Sequence, residues 1–132
     1  MKYLTAYFLV LVIFLIIDMT WLMGIARSTY VAEMGGLMKK SPNLMAAGIF
    51  YLLYAAGLLV FAVKPGLEDA SWAWAAALGA GLGAVAYGTY DLTNLAVIEG
   101  YGWRIALIDL AWGTTVSAMT AGLATRISQA IS

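Results

Sequence analysis

The chain reads as an all-α integral membrane protein with four transmembrane helices in an up-down-up-down bundle. Three observations predict this. Of 132 residues, 64% are hydrophobic and 11% charged, against about 45–50% and about 25% in soluble domains. The apolar residues gather into four runs, at about 3–25, 44–63, 72–97 and 103–125, each near the ~20 residues that cross a ~30 Å hydrocarbon core. Short connections make successive runs antiparallel neighbours. No composition shift divides residues 1–132, so one transmembrane domain is expected.

The first run holds Asp18 and is too long for the apolar stretch of a signal peptide, so it reads as a retained helix. The connection after it, "ARSTYVAEMGGLMKKSPN", either extends that helix or lies in the interface before Gly35-Gly36 breaks it. Ser41-Pro42-Asn43 then starts the second helix. "KPGLEDAS" is a turn, with Pro65-Gly66 ending the second helix and Asp69 or Ser71 able to cap the third. "IEGYG" (residues 98–102) is a tight hairpin between the third and fourth. Tyr3, Trp72, Trp74 and Trp103 lie near run ends, where amphipathic rings favour the membrane interface.

Lipid gives helices little hydrophobic reason to associate, so close packing needs small residues. "GAGLGAVAYG" supplies Gly79 and Gly83 four apart, and Ala80, Ala84 and Gly88 likewise. The last run adds Gly113, Ser117 and Ala121 at the same spacing.

The absences narrow the chemistry. There is no cysteine, hence no disulfide, thiol catalysis or zinc–thiolate site. There is no histidine, the commonest general base near neutral pH. Net charge is zero, so nothing points to nucleic acid. Lipids are the expected surroundings, and no cofactor is called for.

Against that background three acids stand out: Asp18 in "LIIDMTWLMG", Asp91 in "TYDLTNL" and Asp109 in "LIDLAWG". Call the membrane surface bearing Met1 the start face and the other the return face. Counting ~1.5 Å per residue from the middle of each run puts all three about 6–9 Å from the midplane, in the return half. Tyr51 and Tyr54 reach a similar level. Trp21, Asn94 and Trp112 each lie three residues from an acid on the same helical face, and Tyr87 one turn before Asp91. "ID-x-x-W" occurs in both the first and last runs, a hint of internal repetition. Inverted repeats with a site near midplane depth are a habit of transporters.

A charged Asp at the bilayer centre costs about 2.5–3.5 kcal/mol on insertion scales, so these acids should face the bundle interior or a water-filled cavity. No Lys or Arg lies at their depth. Three close carboxylates cannot all ionise cheaply, so such a site takes up a proton or a cation, or shares protons among its members. The candidate binding or proton-linked residues are Asp18, Asp91, Asp109, Asn94, Trp21, Trp112, Tyr51, Tyr54 and Tyr87; metal ligation stays open. The bland alternative is that protonated acids simply bond Tyr, Thr or Asn on neighbouring helices.

The segments "KYLTAYFLVLVIFLIIDMTWL", "FYLLYAAGLLVFAVKP", "YGTYDLTNLAVI" and "LIDLAWGTT" together resemble a bacterial family of predicted membrane proteins, domain of unknown function 2177 (DUF2177). The resemblance covers nearly the whole chain. It implies a small four-helix membrane protein and brings no activity with it. In a bacterium the expected location is the inner (cytoplasmic) membrane, multi-pass.

Three functions compete. The first is a small binding or transport protein for a cation or proton-coupled solute, in which carboxylates supply charge and rings supply cation–π contact. Small multidrug resistance transporters share the size and the materials, with no motif match. Four short helices enclose little volume, which favours a homodimer with a shared cavity. The second is an intramembrane two-aspartate hydrolase or a lipid-modifying enzyme. Tyr90-Asp91 matches half of the intramembrane aspartyl protease signature, but the Gly-x-Gly-Asp half is absent, "GLGA" (residues 81–84) ending in Ala. The third is an assembly subunit without chemistry. The sequence favours binding over catalysis and assigns no catalytic residue. Basic residues barely decide orientation: Arg27, Lys39, Lys40 and Arg104 on the return face, Lys2, Lys64 and Arg126 on the start face. The slight excess leans toward a cytoplasmic return face.

Overall fold

The computed structural model describes residues 2–35 and 43–131. Five helices follow in order: α1 (Lys2–Ile25), α2 (Arg27–Met34), α3 (Leu44–Glu68), α4 (Trp72–Val97) and α5 (Trp103–Ile131). Among the described residues there is no strand. α1, α3 and α5 are long and apolar enough to cross a membrane. α4 has 26 residues, but glycines, tyrosines and Asp91 dilute its apolar character. Gly36, Ser41 and Pro42, expected to break and restart the helices, and the return-face Lys39 and Lys40 lie outside the described residues.

Each helix buries the stripe that its spacing predicts. On α1 the buried positions are Ala6, Val10, Phe14 and Asp18, each four residues on from the last. Asp18 therefore continues a core stripe and points inward. The other sides of α1 expose Leu4, Phe8, Val12 and Ile16, a surface matched to acyl chains and not to water. Four threonines on exposed or half-exposed faces, Thr20, Thr89, Thr114 and Thr115, close their hydroxyls onto the carbonyl four residues back, as Thr20 does on Ile16 at 2.7 Å and Thr89 on Val85 at 2.6 Å. That hides the polar group from lipid.

α4 and α5 run antiparallel in close contact. A Cβ built on Gly79 would stand 2.6 Å from the Ser117 carbonyl oxygen, and one on Gly83 2.5 Å from that of Gly113. A Cβ on Gly113 would enter the Tyr87 ring. These glycines are where the two backbones meet, as the small-residue spacing predicts. Gly66 does the same at the start of the bundle, against Ala75.

Three boundaries depart from expectation. The second helix runs on to Glu68 rather than stopping at Pro65-Gly66. A π-helical turn over Leu59–Val63 slips the register just before the proline, and Lys64 N–H bonds back to Leu59. Pro65 then opens the next α-helical turn, where its missing N–H is no loss. The last helix extends past residue 125 to Ile131. After Asp18, α1 ends in a second π-helical turn, Thr20–Ile25, and a bend at Ala26 leads into the separate helix α2. α2 lays Tyr30 against Tyr101, Ile105 and Ala106. Ser71 caps α4 by accepting from Trp74 N–H at 3.0 Å, and Asn43 caps α3 through Ala46 N–H at 3.0 Å. The hairpin between α4 and α5 turns at Gly100, whose φ of 86° suits glycine.

Gly113→Ala should destabilise the fold by about 1–3 kcal/mol, because its methyl group has no room beside Tyr87. Gly81→Ala, with open space around its Cβ, should be neutral or stabilise by up to about 1 kcal/mol. Thermal unfolding of both variants in detergent micelles measures the contrast.

Candidate functional site

Asp18 is 5% exposed and Asp91 0%; Asp109 is half-buried. Each acid is met by an aromatic donor carried on another element. Asp18 accepts two hydrogen bonds, from the Tyr51 hydroxyl of α3 to Oδ2 at 2.6 Å and from Trp112 Nε1 of α5 to Oδ1 at 2.9 Å. Asp109 accepts the Tyr30 hydroxyl of α2 on Oδ1 at 2.8 Å, and that hydroxyl accepts from Trp21 Nε1 at 3.2 Å. Asp91 accepts the Tyr101 hydroxyl on Oδ1 at 2.6 Å. Its Oδ2 is buried without a hydrogen-bond partner.

The two "ID-x-x-W" segments serve each other. Trp112 of the second reaches the acid of the first directly. Trp21 of the first reaches the acid of the second through Tyr30. Between them the two indoles stack face to face, centroids 4.3 Å apart and planes within 8°. The π-helical turn starting at Thr20 carries Trp21 into this arrangement; such turns recur at functional sites.

A cavity of about 450 Å³ opens beside the acids. Its wall holds the Asp18 and Asp109 carboxyls and the rings of Phe50, Tyr51, Tyr87, Tyr90 and Trp112, with Leu22 and Ala86 completing it. Phe50 and Tyr90, exposed by 41% and 54%, form its rim. Among the described residues no Lys or Arg lines it. The nine candidate residues thus divide. Asp18, Asp109, Tyr51, Tyr87 and Trp112 share the cavity wall. Trp21 backs it by stacking on Trp112. Tyr54 lies behind it, its hydroxyl 2.7 Å from Ser117 Oγ and its ring edge-on to Phe14 and Tyr87. Asp91 is buried and off the cavity wall, with its carboxyl in side-chain contact with that of Asp109. Asn94 is off the wall, one turn beyond Tyr90, and its carbonyl caps the end of α4 by accepting Ile98 N–H at 2.9 Å. The three acids do not meet at one point. Among the described residues no three possible ligands lie close enough to hold a metal ion.

Tyr30 and Tyr101 are site residues that the sequence reading left out. Both sit in connections rather than in apolar runs. The available signal was chemical: each inward acid needs a donor, and these tyrosines lie within a few residues of the return ends of the helices. Burial pushes both hydroxyls well above the ordinary tyrosine range. For Tyr30 the Asp109 charge adds to it against the opposing Trp21 bond, and for Tyr101 the bond to Asp91 adds to it. Both therefore stay protonated and remain donors.

Apolar helices lined with lipid-facing side chains, around an interior of acids and hydroxyls, define a helical multi-pass membrane protein. The sequence profile of the family described as "Predicted membrane protein (DUF2177)" matches residues 3–126, and the chain belongs to that family. No curated protein and no solved structure matches it.

Tyr51→Phe removes one of the two donors to a nearly dry carboxyl and should cost about 1–3 kcal/mol. Tyr7→Phe removes an outward-facing bond to the Leu52 carbonyl and should cost no more than about 1.5 kcal/mol. Chemical or thermal unfolding in detergent compares them.

Proposed function

We propose that this protein is a small binding or transport protein of the inner membrane that takes up an organic cation at Asp18 and Asp109 in exchange for protons. One observation carries the reading: a single cavity wall combines two carboxyls with five aromatic rings and, among the described residues, no basic side chain. Carboxylates supply charge to a cation, and ring faces supply cation–π attraction that strengthens when water is excluded. The two acids have different duties. Both oxygens of Asp18 are already engaged by Tyr51 and Trp112, so it orients the wall and holds long-range charge. Asp109 accepts the Tyr30 hydroxyl on Oδ1 and lines the cavity, and it is the contact for the cation. A two-carboxylate hydrolase has less support, because the acid neighbouring Asp109 is Asp91, which offers no surface to a substrate.

In this reading α4 is the fourth span. Its 26 residues reach about 39 Å at 1.5 Å each, and it lies against α5 throughout. A second copy of the chain closing the rim at Phe50 and Tyr90 belongs to the same reading.

Tetraphenylphosphonium is the probe. It should bind the detergent-solubilised protein more weakly as pH falls. Asp109→Asn should weaken it at least tenfold, about 1.4 kcal/mol. Calorimetric affinities that are equal in the native protein, Asp18→Asn and Asp109→Asn would sink the reading.

The fourth span has its own test. The chain lacks cysteine, so Glu68→Cys and Glu99→Cys each carry one label site. A membrane-impermeant maleimide should reach them from opposite sides of sealed vesicles; labelling from one side removes α4 as a span.

A further inference from the structure

We propose that Asp91 is a dedicated proton site, filled from the return-face end through Tyr101 and linked to Asp109, so that proton and cation occupy neighbouring carboxyls. The link to the cation rests on the function proposed above; the proton site itself does not.

Asp91 has no exposed surface. Oδ1 takes the Tyr101 hydroxyl at 2.6 Å, and Oδ2 is buried without a partner. An ionised carboxylate with an unsatisfied oxygen away from water is costly. A proton arriving on Oδ1 along the Tyr101 bond removes the charge at once. The groups acting on Asp91 are Asp109 from α5 and Tyr101 from the hairpin. Tyr30 from α2 and Tyr90 beside it on α4 lie within its field. All are acids or phenols, so none offers a compensating positive charge. Asp91 does not line the cavity, and a proton is the one cation that needs no room.

The route in is equally specific. Tyr101 sits in the hairpin of residues 98–102, whose Ile98, Glu99 and Gly100 are exposed while Tyr101 is 6% exposed. Its ring is buried just beneath that turn, and its hydroxyl donates to the sealed carboxyl. A phenol is both donor and acceptor. Its O–H bond breaks as its proton passes to Asp91, and its oxygen gains a replacement from a hydronium, which leaves as water. The sum is one proton moved from solvent to Asp91, with Tyr101 unchanged and no electron transferred. Glu99, two residues away on the same turn, is exposed. Neighbouring carboxyls titrate as a pair. A cation settling on Asp109 therefore expels the proton from Asp91, and its departure draws the proton back.

Infrared spectroscopy of the detergent-solubilised protein reads this directly. The native protein should show a carboxylic-acid C=O band at neutral pH that disappears in Asp91→Asn. In Tyr101→Phe the band should move to higher frequency and shift in heavy water at least tenfold more slowly. Tetraphenylphosphonium should release one proton per cation bound to the native protein, read with a pH indicator, and none in Asp91→Asn. No acid band in the native protein, or a band unchanged in Asp91→Asn, overturns the proton site. Should Asp91→Asn not fold, an unmoved band in Tyr101→Phe overturns it. Absence of tetraphenylphosphonium binding to the native protein overturns the cation reading alone, and the infrared band still decides Asp91.

Discussion

A carboxyl group inside a lipid-facing bundle must find its hydrogen bonds in the protein, because the hydrocarbon offers none. The arrangement of this molecule follows from that requirement. Asp18 on α1 draws donors from α3 and α5. Asp109 on α5 draws one from α2, and Asp91 on α4 draws one from the hairpin that follows it. Every acid thus ties its helix to a different element, and all the donors are phenols or indoles. Such groups satisfy an acceptor while presenting a largely apolar body to their surroundings. Among the described residues no lysine or arginine lines the cavity beside them.

The two halves of the bundle are built differently. Toward the start face, α4 and α5 touch through Gly79, Gly83, Ser117 and Ala121, and the backbones nearly meet. Toward the return face the side chains are large: Phe50, Tyr51, Tyr87, Tyr90 and Trp112. Rings of that size, committed to hydrogen bonds or to one another, cannot collapse into a close-packed layer, and the cavity is what remains between them. Close packing in one half is thus the support on which an open site in the other can stand. The stacked indoles of Trp21 and Trp112 join the donor systems of Asp18 and Asp109, so substitutions at these positions should not add as independent terms.

Much of this was readable from residue order. Spacing of four along α1 turns Asp18 inward, small residues mark the α4–α5 contact, and Asn43 and Ser71 stand where caps are needed. What escaped has physical reasons. Counting residues along an axis gives depth but not direction around it, so equal depths for three acids did not show that Asp91 faces away from the cavity. Helical periodicity assumes a constant register, and the π-helical turns at residues 20–25 and 59–63 break it. One of them carries α3 past a proline that normally signals an end. Tyr30 and Tyr101 lie in connections, where no periodicity exists to orient a side chain.

The glycine at 113 has a wider meaning than packing. The space its absent side chain leaves is filled by the ring of Tyr87, which also forms the cavity wall. Positions 87 and 113 are therefore a single unit of inheritance: a larger residue at one demands a smaller residue at the other. Any change of that kind would reshape the cavity along with the helix contact, so the packing of the bundle and the shape of its open space must drift together.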